Sequence, residues 1–308
     1  MLQQKGIFFD KLKSIMVVIS VFVLWLSSYS TATLEAILSC IFILSFGVLH
    51  GSNDIQLLHR AYRSKQSQFS VYKAVMFYVL VVVGILVLFV IWPQLALPLF
   101  LLISGFHFGE QHWAVNVKQN SLVSTLFFSF YGLFILFMLF YVQREQVVPV
   151  LTELSGVAIQ PEWLGSIFLL CGLGLGATAL LLLAKKSLSI RYLEEIFILV
   201  LLFIIFNVTS LIWSFSIYFI LWHSIPSLRD QLVFLYGHSS RATFARYLRT
   251  SLPYWLVSIA GLGVLYFFLK DNMDQMLSIL VYFLAAITFP HVLVISFWES
   301  RIRSSPEN

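Results

Sequence analysis

Residues 94–115 read QLALPLFLLISGFHFGEQHWAV. No charged side chain appears before Glu110. As a helix rising 1.5 Å per residue, the stretch crosses the ~30 Å hydrocarbon core of a bilayer. Thirteen residues in (107 − 94) stands His107. An ionisable group at that depth is costly, about 2.5–3.5 kcal/mol when charged, and by default marks function. Working outward, nine more stretches have the same apolar character: 15–33, 35–58, 71–92, 121–142, 164–184, 192–209, 210–233, 252–269 and 275–298. The expected fold is an all-α polytopic transmembrane bundle of ten spans, one integral-membrane domain over residues 1–308. Composition agrees. The chain is 60% hydrophobic and 11% charged, with a mean hydropathy of +0.92, against about 25% charged residues in a soluble protein.

Charge placement tests the span count independently. Of the 19 Lys and Arg residues, only Arg144 and Lys270 fall in segments placed outside when the N-terminus is cytoplasmic. The others, from Lys5 through Lys65 and Lys118 to Arg303, fall inside. This alternation obeys the positive-inside rule and predicts both termini in the cytoplasm of a multi-pass cell-membrane protein. The net charge of +5 therefore reflects topology, and nucleic acid is not an expected partner. The basic N-terminus precedes a long apolar run without a small-residue cleavage site, so a retained first span is expected. Residues 143–163 are expected to hold a short surface helix, and 234–251, where aromatics alternate with arginines, an interfacial amphipathic helix.

Four histidines, His50, His107, His223 and His291, lie at matching depth in spans 2, 4, 8 and 10. Even-numbered spans all run from outside to inside, so all four are expected in the cytoplasmic half of the bilayer at one level. That is the condition for one shared metal site. His50 and Asp54 are i and i+4, which shares a helix face. Asp54 suits either ligation or a hydrogen bond that orients a ligand histidine. Glu110, at i+3, likewise shares a helix face with His107. Pro226 is expected to break or kink the helix just after His223, and Pro290 to kink the span before His291. His112 is rotated by about 140° from His107 at 100° per residue. With Trp113 it reads as a pair at the headgroup level. His59 and His238 fall in basic inner loops and read as surface residues.

The aromatic load of 30 Phe, 13 Tyr and 8 Trp reads mostly as lipid-facing packing. Trp213, Tyr218, Phe219 and Trp222, ahead of His223, are candidates for lining a tunnel that takes a long apolar substrate. Cys40 and Cys171 lie inside spans and form no CxxC motif. The HxxxH and HxxHH boxes of membrane desaturases are absent, as are HExxH, a P-loop and a GxSxG elbow. Imidazole suits iron, copper, zinc and nickel alike, so the ligands do not fix the metal. The open alternatives are a metal-dependent oxidase of another polyene or lipid, and a metal or proton transporter.

The motifs His50-Gly51 with Asp54, His107-Phe108-Gly109, Trp222-His223-Ser224 and Pro290-His291 resemble, in order and spacing, the Brp/Blh family of bacterial membrane proteins. The resemblance covers about residues 45–298. It implies β-carotene 15,15′-dioxygenase activity, giving two retinal molecules. It implies non-haem Fe(II) as cofactor, held by histidines, O₂ as cosubstrate, and β-carotene taken from the bilayer. A rhodopsin apoprotein is the expected acceptor of the retinal. Family members often carry a histidine four residues after the one in Trp-His-Ser, where this chain has Ser227. Here His291 completes a four-histidine set, with His112 as the alternative.

Overall fold

The structure is a computed structural model that describes residues 2–63, 69–118, 121–271 and 276–303. Lys65, placed above in an inner loop, lies outside the described residues. Among those described, the fold is helical, and each of the ten expected spans coincides with a helical run. These are α1 (Leu2–Ser27), the run of α2 (Ala32–Phe42), a π-helical segment (Ile43–Gly47), α3 (Val48–Gly51) and α4 (Asp54–Arg63), then α5 (Val71–Ile91), α6 (Pro93–Trp113) and α7 (Leu122–Val142). After the short α8 (Arg144–Ser155) come α9 (Pro161–Ala184) and α10 (Tyr192–Val208). The run of α11 (Leu211–Ile217), a second π-helical segment (Tyr218–Ser224) and α12 (Ile225–Tyr236) follows, then α13 (Arg241–Leu269) and α14 (Met276–Arg303).

Seven of these runs are long and apolar enough to cross a membrane by length and composition: 32–62, 71–91, 122–142, 161–184, 211–236, 241–269 and 276–298. The most apolar stretch of α5 is only 6% buried and that of α13 not at all. Leu80, Val90, Val257 and Phe267 stand exposed there. Water would reject such faces, whereas hydrocarbon accepts them.

Two compact units form. One comprises Met1–Gly47, Gly105–Val148 and Gln160–Pro226; the other comprises Val48–Ser104, Pro149–Ile159 and Ser227–Asn308. In the first unit, α6 and α7 cross at glycines. A Cβ on Gly109 would fall on the Phe128 carbonyl oxygen, and one on Gly132 on the Gly105 carbonyl oxygen. Only glycine permits that approach, as in small-xxx-small membrane helix pairs. Phe134 and Tyr141 of α7 stack on Phe168 of α9, at 4.8 and 5.8 Å between ring centres. In the second unit, Leu57, Val294, Ile295 and Trp298 join α4 to α14, while Leu228, Leu232 and Tyr247 join α12 to α13.

Several expectations are corrected. The run 211–236 passes through Pro226 unbroken. Its middle part, Tyr218–Ser224, widens to π-helical pairing, and the N–H of Ile225 donates to Ile220, five residues back. The missing N–H of Pro226 then costs little, because it falls in the first turn of α12. No separate interfacial helix occupies 234–251. Gly237, at φ +81°, follows the end of α12, and a Ser240–Thr243 capping box starts α13 at Arg241. The basic residues of this stretch are the first turns of the α13 run. In contrast, the short helix expected in 143–163 is present as α8.

Candidate active site

In the first unit, α6 carries His107 and the second π-helical segment carries His223. Their rings meet nearly edge-to-face, 4.8 Å apart at 76°. Phe108 lies 4.6 Å from the His223 ring and Phe219 stacks on it at 5.6 Å. Both histidines are buried, at 1% and 2% exposure. The π-helical geometry aims these groups. The Ser224 hydroxyl donates to the Phe219 carbonyl, five residues earlier, at 2.8 Å. One extra residue per turn rotates His223 relative to the turns before it, and such insertions occur frequently at functional sites. Gly47 lets the first π-helical segment approach, since a Cβ there would come within 2.7 Å of the Phe219 ring.

The second unit holds a matching pair. The rings of His50 and His291 lie 4.9 Å apart at 88°. The Nδ1 of His291 donates to the Asp54 carboxylate, at 2.9 Å to Oδ1 and 3.1 Å to Oδ2. The Tyr78 hydroxyl of α5 donates to Asp54 Oδ2 at 3.1 Å. Asp54 therefore orients His291, a hydrogen bond to a candidate ligand histidine of the kind the sequence offered for it. The α-helical pairing is interrupted at Ser52–Asn53, between His50 and Asp54.

His50 is held through its backbone. Its carbonyl accepts from Gln231 Nε2 at 2.8 Å, and the Tyr247 hydroxyl donates to Gln231 Oε1 at 2.7 Å. Asn53 Nδ2 donates to the Tyr247 carbonyl at 3.1 Å. Ser227 accepts from Gln231 Nε2 at 3.2 Å. Tyr78, Gln231 and Tyr247 escaped the sequence reading. Gln231 left a trace, being an amide near the C-terminal end of an apolar run; the two tyrosines left none.

The four histidines thus divide two and two between the units. Among the described residues, no group of three or more His, Cys, Asp or Glu is gathered to hold a metal ion. The donor chemistry of each pair nevertheless fits one. A metal about 2.1 Å from a ring nitrogen lies about 3.2 Å from the ring centre, so two imidazoles on adjacent positions stand about 4.6–5.2 Å apart. Edge-to-face packing gives similar separations, so Asp54 carries the weight. A carboxylate on Nδ1 fixes the tautomer of His291 and leaves the lone pair on Nε2, the arrangement found behind metal-ligating histidines.

The remaining candidates fall as follows. Glu110 is buried at 7% exposure, one turn beyond His107. Tyr218 packs edge-on to Phe108 at 5.7 Å. Trp213 and Trp222 donate to Ser27 Oγ of α1 at 2.7 Å and Ser20 Oγ of α1 at 3.1 Å. His112 and Trp113 are not a headgroup pair. Trp113 is 3% exposed, and His112 Nε2 lies 2.9 Å from Glu195 Oε2 and 3.2 Å from the Tyr131 hydroxyl. Lys13 completes that cluster, 2.7 Å from Glu195 Oε1. The Lys13–Glu195 ion pair ties α1 and α10 together, and His112 joins α6 to it. Lys13→Met would leave the Glu195 carboxylate, 8% exposed, without its ammonium. We expect a loss of about 3 kcal/mol, measured as a lower thermal midpoint in detergent. His238 is exposed as expected, while His59 is half-buried with its ring 5.2 Å from Phe69.

Comparison with known proteins settles the family. The family model described as beta-carotene 15,15′-dioxygenase matches residues 41–299. This chain belongs to the β-carotene 15,15′-dioxygenase family. All four histidines, Asp54 and Tyr78 fall inside the matched stretch. No curated protein matches the chain, and no solved structure does. For a β-carotene 15,15′-dioxygenase family member, dioxygenase chemistry on a carotenoid is the activity that family membership implies.

Proposed function

We propose that this chain cleaves the central 15,15′ double bond of β-carotene with O₂, giving two molecules of retinal. The iron, as Fe(II), is held by His50, His107, His223 and His291. The observation that carries the metal assignment is the Tyr78–Asp54–His291 chain beside His50; family membership supports the reaction. When bound, iron supplies the binding and activation of O₂ in a site of neutral nitrogen donors. The protein's own groups do the rest. Asp54 holds His291 in one tautomer, and Glu110 is assigned the corresponding orienting role for His107. Gln231 and Tyr247 fix the backbone at His50. Phe108, Tyr218 and Phe219 wall the His107–His223 pair and exclude water. Trp213 and Trp222 shape the same wall from behind through α1.

β-Carotene is insoluble in water, so it comes laterally from the bilayer, and positioning decides which bond is cut. The reading includes ten passes, cytoplasmic termini and a cell-membrane location, with a rhodopsin apoprotein as acceptor of the retinal. Expression in β-carotene-producing cells tests it directly. Loss of orange colour with retinal in the extract is the expected result; unchanged carotenoid beside well-folded protein refutes it. Asp54→Asn is expected to weaken iron binding about 10–100-fold, read by metal titration of the purified protein. Unchanged iron affinity would remove Asp54 from the site.

A further inference from the structure

A groove of about 600 Å³ opens within the second unit, between α4, α5 and α14. That size falls within the range of about 300–1,000 Å³ typical of pockets that bury small ligands. Its inner end is formed by Tyr78 and Pro290. Tyr78 is the residue bonded to Asp54, and Pro290 immediately precedes His291, so the groove ends against the supports of the His50–His291 pair. The Tyr78 hydroxyl is committed to Asp54, which leaves its ring as the lining surface. Along the sides run Ala74, Phe77 and Leu293.

The other end differs. Tyr62, Phe69 and Phe297 form an aromatic box, with Tyr62 lying 5.4 Å from Phe69 and 5.3 Å from Phe297, ring centre to ring centre. Ser70 and Lys73, both exposed, also line the groove. From Pro290 to Phe297 the groove follows α14 for about 10 Å at 1.5 Å per residue. Its lining thus passes from Tyr78 and Pro290, the neighbours of the histidine pair, along apolar side chains to the aromatic box and the polar Ser70 and Lys73.

We propose that this groove seats one end ring of the carotenoid. The cyclohexenyl ring lies in the Tyr62–Phe69–Phe297 box, and the rigid polyene arm passes Ala74 and Leu293 towards Tyr78. The groove acts as a ruler: a ring stopped at the box fixes which double bond reaches the histidines. The proposal rests on the carotenoid-cleavage reading above. It adds residues in α4, α5 and α14 that touch neither histidine pair and decide substrate fit.

The test fills the groove in the full-length protein. Ala74→Phe and Leu293→Trp each place a ring in the channel, whereas Val87→Trp on exposed α5 surface adds the same bulk outside it. Each protein is purified without O₂ from β-carotene-containing membranes, and the carotenoid retained per chain is measured. KM and kcat for β-carotene are then measured in air. The filled variants should retain at least about tenfold less carotenoid, a tenfold change in binding constant, with a matching rise in KM. Val87→Trp should match wild type. Leu293 is 50% exposed, so its replacement decides the matter if Ala74→Phe does not fold. Filled variants that load and turn over like wild type overturn the groove. Wild type that retains carotenoid in a groove-dependent way yet makes no retinal overturns the cleavage reading and leaves the groove standing.

Discussion

Replacing His223 by alanine is expected to reduce retinal formation to background and to strip iron from the purified protein, while the chain stays monodisperse. The ring is 2% exposed and sits between His107, Phe108 and Phe219. Alanine there opens a small apolar void without uncovering a charge. A void of that size costs a few kcal/mol at most, so loss of activity far beyond any loss of stability identifies a chemical role. Pairwise variants extend the test. His107→Ala with His223→Ala, and His50→Ala with His291→Ala, each remove one unit's pair. If all four imidazoles are ligands, both double variants lose the metal, measured as iron per chain by elemental analysis. If one double variant keeps wild-type iron, the metal belongs to the other pair alone. The four-histidine assignment is then wrong, whatever the activity. His112→Gln serves as the comparison, because its ring is engaged with Glu195 and Tyr131. Full iron occupancy is expected there.

Much of the fold could be read from the sequence because lipid imposes one rule. Every spanning segment must be helical and apolar, so hydropathy and loop charge located the helices. What could not be read depends on hydrogen-bond register. Nothing in the composition of 43–47 or 218–224 distinguishes π-helical from α-helical pairing, yet those segments precede His50 and carry His223. The same limit explains Asp54. Spacing placed it on one face with His50 but could not name its partner, and the bond it makes runs to His291, 237 residues away. Tyr78 was hidden for another reason. One tyrosine in an apolar run rich in valine and phenylalanine looks like lipid-facing packing until its hydroxyl is seen on a buried carboxylate. The histidines themselves were legible because their cost in hydrocarbon makes each one conspicuous. The partners of the Trp213 and Trp222 indole N–H groups could not be read from the sequence either. A buried indole usually finds an acceptor, and Ser20 and Ser27 of α1 supply them.

Gly109→Ala is expected to be the most damaging single-methyl change in the chain. Gly105 and Gly109 stand one helical turn apart on either side of His107, a G-x-x-x-G pair that brings α7 against α6. An added Cβ at Gly109 would land on the Phe128 carbonyl, and a Cβ at Gly132 on the Gly105 carbonyl. Backbone atoms cannot rotate aside as a side chain does, so the helices must separate. Ordinary overpacking costs about 1–3 kcal/mol; a clash with backbone on two packed helices should exceed that range. Separation would also carry His107 away from His223, whose ring contact at 4.8 Å depends on α6 keeping its place. Folded yield in detergent should fall sharply, and any protein recovered should bind iron poorly. Gly84→Ala supplies the contrast. Nothing lies within 4 Å of a Cβ there, and alanine is the better helix former by about 1 kcal/mol, so that variant should be at least as stable as wild type. A Gly109→Ala protein with wild-type yield and thermal midpoint would show that the α6–α7 crossing is looser than these glycines require, and would remove the packing argument for where His107 stands.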